Sequence, residues 1–393
     1  ISSHISMNII KNKKKVFVIG ANHLNTLGLI RSLGEGGYSV VLLLEHCNLR
    51  FCYLRFSRYI QKMYLLNSLE ESLQILKKEN LQSDEKSVIL SGSDSSICFL
   101  DLHYDELRDK FYIFNANSEQ GGINYLVDKW NTFPIAEKSG FTLIKTWYVN
   151  DIHNLPDDII FPCLIKANSS IASSKDVMYI CQNQLELVKN LQEGVEYLIQ
   201  EYIEKDFELD IVGLAYNQGA HVLVPATVRK IRDYFHSQSN YICLERMDKY
   251  PLEIQDSIRR FIGLIKYEGL FSIELMCKGD KFYFLEANLR NDGTSYLYTA
   301  AGVNYPVLWV KLCDEGVSED VVTSLKVKTP YYLQQMVDFG NVLHRRVSFF
   351  TWLKQTVTAD AHFVFNIRDI KPFLYQCYIP IRQLLKRLFK LFR

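Results

Sequence analysis

The segment GLFSIELMCKGDKFYFLEANLRNDGT, Gly269 to Thr294, constrains the fold most, because two strand-length apolar runs flank a turn at Lys278-Gly279-Asp280 and both carry acids in their interiors. A hairpin is expected. Side chains alternate faces along a strand, so Glu286 and Asn288 share one face, with Phe282 and Phe284 on it too. A three-residue turn would pair Cys277 with Lys281, place Glu274 opposite Phe284 and leave it diagonal to Glu286. Two carboxylates and an amide oxygen then share a face. Such hard oxygen donors suit Mg²⁺, which takes one or two carboxylates and completes its shell with phosphate and water. Solvated, outward-facing acids are the alternative, and the Phe and Leu residues around them weigh against it, since uncompensated carboxylates are costly there.

At 393 residues the chain is too long for one core, and two or three domains are expected. From Lys15 it reads as a strand (Val16 to Ile19), a turn at Gly20, a helix near Thr26 to Leu33 and a strand at Tyr38 to Leu44, which is a βαβ opening with a parallel sheet. Ser87 to Leu90 is a further strand, ending in the turn Ser91-Gly92-Ser93-Asp94 before a helix near Ser96 to Asp101. No second or third glycine follows Gly20 at dinucleotide spacing, so NAD binding is not supported. From about Asp128 the pattern becomes α+β with antiparallel pairing, including strands at Phe161 to Ala167, Tyr197 to Ile203 and Glu208 to Leu214 and helices near Trp130 to Ser139 and Pro251 to Tyr267.

The 45 Lys and Arg balance 44 Asp and Glu, which excludes a globally basic nucleic-acid binder and leaves only local patches for charged partners. The nine cysteines are scattered singly and read as reduced thiols of a cytoplasmic protein. No apolar run approaches the roughly 20 residues of a bilayer span, and no signal peptide is visible. Ile1 to Ser6, ahead of Met7, reads as an added leader and is set aside.

Three further features carry chemistry. Arg290 follows Asn288 where strand gives way to loop, as a phosphoryl or carboxylate ligand or as a surface ion pair. Phe161 to Lys166 delivers a lysine at the end of a strand, ahead of Asn168-Ser169-Ser170-Ile171-Ala172-Ser173-Ser174-Lys175, which is either a loop that closes over phosphates or an ordinary polar hairpin loop. Arg229, Lys230, Arg232 and His236 form a basic stretch, read as a solvated loop or as a site for an anionic substrate.

Taken in order, Asp128-Lys129, FPCLIK ending at Lys166, IQEYI at Ile199 to Ile203, FELD with Glu208, GLFSIEL with Glu274 and YFLEANLR with Glu286, Asn288 and Arg290 resemble the ordered signature of the ATP-grasp superfamily. The resemblance covers roughly Lys15 to Asp314 and is nearest the carbamoyl-phosphate-synthase-like and D-aspartate-ligase-like branch. It implies a Rossmann-like pre-ATP-grasp domain at 7–125, a two-lobed ATP-grasp domain at 126–330 with a lid at about 142–204, mobile without nucleotide, and a C-terminal extension at 331–393. It implies a Mg²⁺- and ATP-dependent ligase, with Mn²⁺ as an alternative ion, that activates a small anionic carboxylate as an acyl-phosphate and transfers it to an amine. Lys129 and Lys166 would hold ATP phosphates, Gln200, Glu201 and Ile203 the adenine, and Glu208 the ribose. Glu274, Glu286 and Asn288 would bind metal, and Arg290 would steady the transferred phosphate. Many relatives have a glycine-rich phosphate loop, which this chain lacks between Lys166 and Lys175. The competing expectations are an ATP-dependent carboxylase and a nucleotide-binding module without catalysis.

The last stretch, Ile381 to Arg393, places Leu384, Leu385, Leu388, Leu391 and Phe392 at helical spacing among Arg382, Lys386, Arg387, Lys390 and Arg393. It is a basic amphipathic helix, expected either to pack on the protein or a second subunit of a homodimer, or to lie on the inner face of an anionic membrane, where a cell-envelope or surface-glycan precursor would be met.

Overall fold

The computed structural model describes residues 15–81, 85–168, 178–233, 239–316 and 330–391, with the side chains of 381 and 383–391 excepted. Strands β1 (Lys15–Gly20), β2 (Ser39–Leu44), β3 (Ile60–Leu65), β4 (Ser87–Ser91) and β5 (Phe111–Tyr112) form a parallel sheet of order β3-β2-β1-β4-β5. Its central strands are continuous apolar runs because helices cover both faces. Val16 and Val18 of β1 pack with Leu27 and Ile30 of α1 (Leu24–Glu35), whereas Phe17 and Ile19 pack with Leu76 of α2 (Glu70–Asn80) and Leu100 of α3 (Asp94–Leu102). β3 and α2 were not anticipated, since charged and polar residues interrupt both patterns.

The strand order reverses between β1 and β4, and a crevice opens there at the C-terminal ends of the strands. Gly20 and Gly92 set how closely the two turns approach: a Cβ on Gly20 would lie 2.4 Å from Thr26 Oγ1 and 3.2 Å from Gly92 Cα. Close approach, rather than a left-handed backbone, requires glycine at position 20.

After β6 (Asn115–Ala116) and the helices α4 (Tyr104–Leu107), α5 (Gly122–Val127) and α6 (Lys129–Lys138), β7 (Thr142–Leu143) pairs with the large sheet below, although it falls inside the expected lid segment. β8 (Thr146–Val149), β9 (Cys163–Ala167), β10 (Met178–Cys181) and β11 (Tyr197–Glu201) form a separate antiparallel sheet of order β10-β9-β11-β8. With α7 (Gln184–Asn190) it has its own core of Trp147, Ile165, Leu187, Tyr197 and Ile199.

The third sheet is built around β12 (Phe207–Tyr216), β14 (Ala226–Asp233), β15 (Ser239–Arg246), β16 (Tyr267–Lys278) and β17 (Lys281–Asn288), with β13 (His221–Leu223) beside β12 and β6 beside β16. α8 (Leu252–Leu264) packs Phe261 against Phe284 and Phe141, and α9 (Ser295–Ala300) and α10 (Tyr305–Glu315) pack on α1. The sheet continues past residue 330, because β18 (Tyr331–Leu333) pairs with β15 and β19 (Ala361–His362) with β18. The stretch at 331–391 is therefore woven into the fold, with α11 (Gln335–Leu343), α12 (Phe349–Thr358) and α13 (Lys371–Leu391) following. Two buried acids anchor it: Asp369 to Arg31 of α1, and Asp338 to Arg232 of β14. Among the described residues no helix is long and apolar enough to cross a membrane. The nine cysteines are free thiols, and Cys52, Cys98, Cys163, Cys181, Cys243 and Cys277 are buried.

Candidate functional site

A cleft of about 700 Å³ lies where the β1–α1 and β4–α3 turns meet the ends of β9, β12, β14 and β17. The β16–β17 hairpin supplies its acids, by a route that differs from the one expected. The turn is a two-residue one, pairing Lys278 with Lys281 and Cys277 with Phe282. That register alone would leave Glu274 facing Leu285. A bulge after Leu275 and Phe284 absorbs Leu285, so Glu274 pairs directly with Glu286 and Ser272 with Asn288. The bulge also separates the phenylalanines from the acids: Phe284 is buried among Phe133, Phe141 and Phe261, and Phe282 meets the ring of Tyr250, while Glu286 lines the cleft.

Cations surround the acid pair. Lys129, the first residue of α6 after the Asp128 cap, places Nζ 2.7 Å from Glu286 Oε2. Lys230 of β14 bridges Glu274 at 2.8 Å and Glu208 at 3.0 Å. Arg290 is paired with Asp94 of the β4–α3 turn and lies 3.4 Å from Asn288 Oδ1. Lys166, at the end of β9, is buried and has no carboxylate within ion-pair distance among the described residues.

The fields are strong. Burial alone would raise the Glu286 carboxyl, but Lys129, Lys166 and Arg290 outweigh it and hold it at about 2. Glu274 is raised by burial, against the pull of Lys230. Burial, reinforced by the like charge of Lys129, lowers Lys166 to about 7.

The cleft thus gathers Lys129, Lys166, Lys230, Glu274, Glu286, Asn288 and Arg290. Other expected residues lie outside its lining. Gln200 is buried and donates to Thr146 Oγ1 at 2.9 Å within the small sheet; Glu201 ends β11; the backbone N–H of Ile203 has no hydrogen-bond partner among the described residues. Glu208 sits one side chain back, held by Lys205 and Lys230. The basic stretch is strand β14 rather than a loop, and among its described residues only Lys230 lines the cleft. Arg229 stacks over Phe207 at 4.4 Å, and Arg232 donates to both oxygens of Asp338 at 2.8 and 2.6 Å, because a bulge at Ile231 turns Arg232 to the face of Arg229, opposite Lys230. His236 and the loop at 169–175 lie outside the described residues.

Several residues escaped the sequence reading. Asp210 of β12 is the cross-strand partner of Glu274, is 3% exposed, and leaves Oδ1 without a hydrogen-bond partner. Asp292 accepts from Thr294 N and Oγ1, both at 2.7 Å, and Thr294 Oγ1 lies 3.4 Å from Asp210 Oδ2. Burial, then Asp292 and Glu274, push the Asp210 carboxyl well above its ordinary range. The signal was Asp210 two residues after Glu208 in FELD, on the same strand face. Asp94 was visible only as a turn residue.

No protein-family profile matches the chain. In sequence it is 23% identical over 243 residues to the carbamoyl phosphate synthase large chain of Methanosarcina mazei, covering 58% of this chain and 20% of that one. It is 27% identical over 171 residues to the formate-dependent phosphoribosylglycinamide formyltransferase of Nitratiruptor sp., covering 40% and 42%. The chain therefore matches less than half the length of either relative. Its fold is similar to that of the L-amino acid ligase of Bacillus licheniformis, with a TM-score of 0.61 at 13% identity over 81% of this chain and 79% of that one. It is also similar to N5-carboxyaminoimidazole synthetase of Staphylococcus aureus, with a TM-score of 0.62 at 15% identity over 86% and 88%. Fold, ordered motifs and sequence matches together place the chain in the ATP-grasp superfamily.

Proposed function

We propose that the chain is an ADP-forming carboxylate–amine ligase, with the N-terminal parallel sheet as a Rossmann-like pre-ATP-grasp domain and the small antiparallel sheet as a lid over the nucleotide. The observation that carries the reading is the Glu274–Glu286 pair, aligned by the bulge and ringed by Lys129, Lys166 and Arg290 in one cleft. The donor set fits Mg²⁺: two facing carboxylates and the Asn288 amide are hard oxygen ligands, and two ammonium groups, those of Lys129 and Lys230, already sit against the acids. Bound Mg²⁺ would neutralise phosphate charge as the terminal phosphoryl group moves.

In this reading Lys129 and Lys166 orient the ATP phosphates. Gln200, Glu201 and the free N–H of Ile203 face adenine once the lid closes, and Glu208, released by Lys205, meets the ribose. A substrate carboxylate oxygen forms a bond to the terminal phosphorus as the bond to ADP breaks, and Arg290 holds the transferred phosphate. The amine nitrogen then attacks the acyl carbon, phosphate leaves with the C–O electron pair, and the nitrogen gives up a proton. Asp210 and Asp292 have no ion-pair partner among the described residues and offer carboxyl oxygens to the incoming ammonium, whose charge would favour the ionised form of Asp210. A cell-envelope or surface-glycan precursor is the proposed acceptor, on the support of the basic C-terminal helix alone.

The test is an ADP-release screen across amino acids, small carboxylates and bicarbonate, with phosphate and pyrophosphate assayed in parallel. ADP and phosphate are expected, released with a carboxylate and an amine together. AMP with pyrophosphate would refute the reading, and stimulation by bicarbonate alone would make the chain a carboxylase.

A further inference from the structure

Among the described residues α12 is unusual in burying no side chain completely, although its sequence, FFTWLKQTVT, is largely apolar. Its inner side is occupied: Trp352 packs on Phe339 of α11, and Gln355 accepts from Arg232. Its outer side presents Phe350 at 80% exposure and Val357 at 76%, with Leu353 and Phe349 beside them, and Leu343 at the end of α11 is 70% exposed. Positions 350, 353 and 357 of the helix follow i, i+3, i+7 spacing, so these side chains form one stripe. Exposed apolar residues scattered singly need no explanation, but a continuous aromatic and aliphatic stripe marks a contact surface.

Charge indicates which surface it meets. Lys354 is exposed on the helix itself, and Arg345 and Arg346 are exposed in the connection that leads into it. Residues 331–393 hold ten Lys and Arg against three acids, a net +7, in a chain whose formal charge is +1, so the remainder carries −6. Two of those three acids, Asp338 and Asp369, are buried against Arg232 and Arg31 and project no charge outward. Residues 381–393 contain five cations and no acid. An acidic body therefore ends in a strongly cationic segment bearing an apolar, aromatic helix face. A two-fold dimer formed through this face would bring the same positive segment against itself.

We propose that α12 lies in the headgroup region of an anionic lipid bilayer, with Phe350, Leu353 and Val357 inserted and Arg345, Arg346 and Lys354 reaching the headgroups. The side chains suit that depth: the aromatic and aliphatic groups leave water, and the lysine stem extends along the apolar boundary while its ammonium stays wet. Each nearby cation adds attraction that falls off within a Debye length. Docking here would hold the cleft at a surface where lipid-linked acceptors reside, but the inference stands on the helix face and the charge distribution, not on the ligase reading.

Co-sedimentation tests it without any assay of turnover. The full chain is mixed with phosphatidylcholine vesicles with or without phosphatidylglycerol, and compared with Phe350→Ser/Val357→Ser and Lys354→Glu, whose altered side chains are exposed and leave the core intact. Wild type is expected to pellet with the anionic vesicles at low salt and to be released at about 0.5 M salt. The double variant should partition at least about tenfold less, and Lys354→Glu by an intermediate amount. Failure of wild type to bind, equal binding to neutral vesicles, or unchanged binding by the double variant would overturn the proposal. So would sedimentation velocity showing that the double variant turns a dimer into monomers, which would give the stripe to a second copy.

Discussion

The Arg31–Asp369 pair is fully buried and the Lys129–Glu286 pair is partly exposed in the cleft, and the two are built differently. Arg31 donates to Asp369 Oδ2 and to the carbonyls of Phe363, Val364 and Asp369, while Asp369 also accepts from Ser57 Oγ and Arg58 N. Every charge there has several partners, and no room is left for a ligand. In the cleft, Lys129 and Glu286 sit beside Lys166, which has no carboxylate within ion-pair distance among the described residues, and within the same cavity as Asp210, whose Oδ1 has no hydrogen-bond partner among them. Saturated charges join α1 to the C-terminal segment 338 residues away. Unsaturated ones leave interactions to be completed by substrate, which is how a site stores affinity rather than stability.

Cutting the saturated pair should have the largest effect. Asp369→Ala strands a buried guanidinium and is expected to cost about 3–5 kcal/mol of stability, read from urea unfolding. The protein that remains folded should keep its nucleotide affinity, and a loss below about 1 kcal/mol would show that the clamp is dispensable. Glu286→Gln should do the reverse. Turnover in the ADP-release assay is expected to fall roughly 10²- to 10³-fold, worth on the order of 3–4 kcal/mol of transition-state stabilisation, with a smaller change in unfolding midpoint than Asp369→Ala. Near-normal turnover would remove Glu286 from the metal set.

The difference can be sharpened with pH at Lys166. In the free protein its ammonium loses its proton near 7, chiefly through burial. Below pH 7 its charge opposes folding; as pH rises from 7 towards the unfolded value of about 10.4, the unfolded chain holds the extra proton and this contribution becomes more favourable. Nucleotide binding runs the opposite way, because phosphate favours the charged form. Affinity for MgATP is therefore expected to fall by up to about tenfold per pH unit above 7, with proton uptake visible in calorimetry across buffers of different ionisation enthalpy. Lys166→Arg, which stays charged, should flatten the dependence; an equally steep profile in that variant would assign the proton to another group.

The local parts of this arrangement were legible in the sequence. The hairpin acids, Lys166 at a strand end and Arg290 past another follow from alternation and turn chemistry within short windows, whereas Lys129 was indicated only by the family resemblance. The turn length was misjudged by one residue, and the bulge at Leu285 restored the proximity of the acids that the two-residue turn would have lost. Partners distant in sequence were not legible: Asp94 meets Arg290 across 196 residues, and Asp210 faces Glu274 only through the β12–β16 register. Arg229 to Asp233 read as a loop because its charges have no apolar alternation, yet pairing with β12 and β15 holds it as a strand. Tertiary pairing overrides local propensity there.

The smallest expected effect concerns the small sheet, which has a core of its own, whereas one apolar cluster runs through both other sheets. An element joined mainly through its two ends can move as a body, and closure over nucleotide would then protect its contact edge without altering its interior. Hydrogen exchange followed by mass spectrometry with and without MgATP should show added protection at Lys166 to Asn168, at the end of β9, and at Tyr202 to Glu204 beyond β11. Peptides from β8, on the far edge of that sheet, should change little. Protection spread evenly over β8 to β11 would mean that nucleotide stabilises the sheet itself rather than seating it, and no change at either edge would take Lys166 and Ile203 out of the nucleotide site.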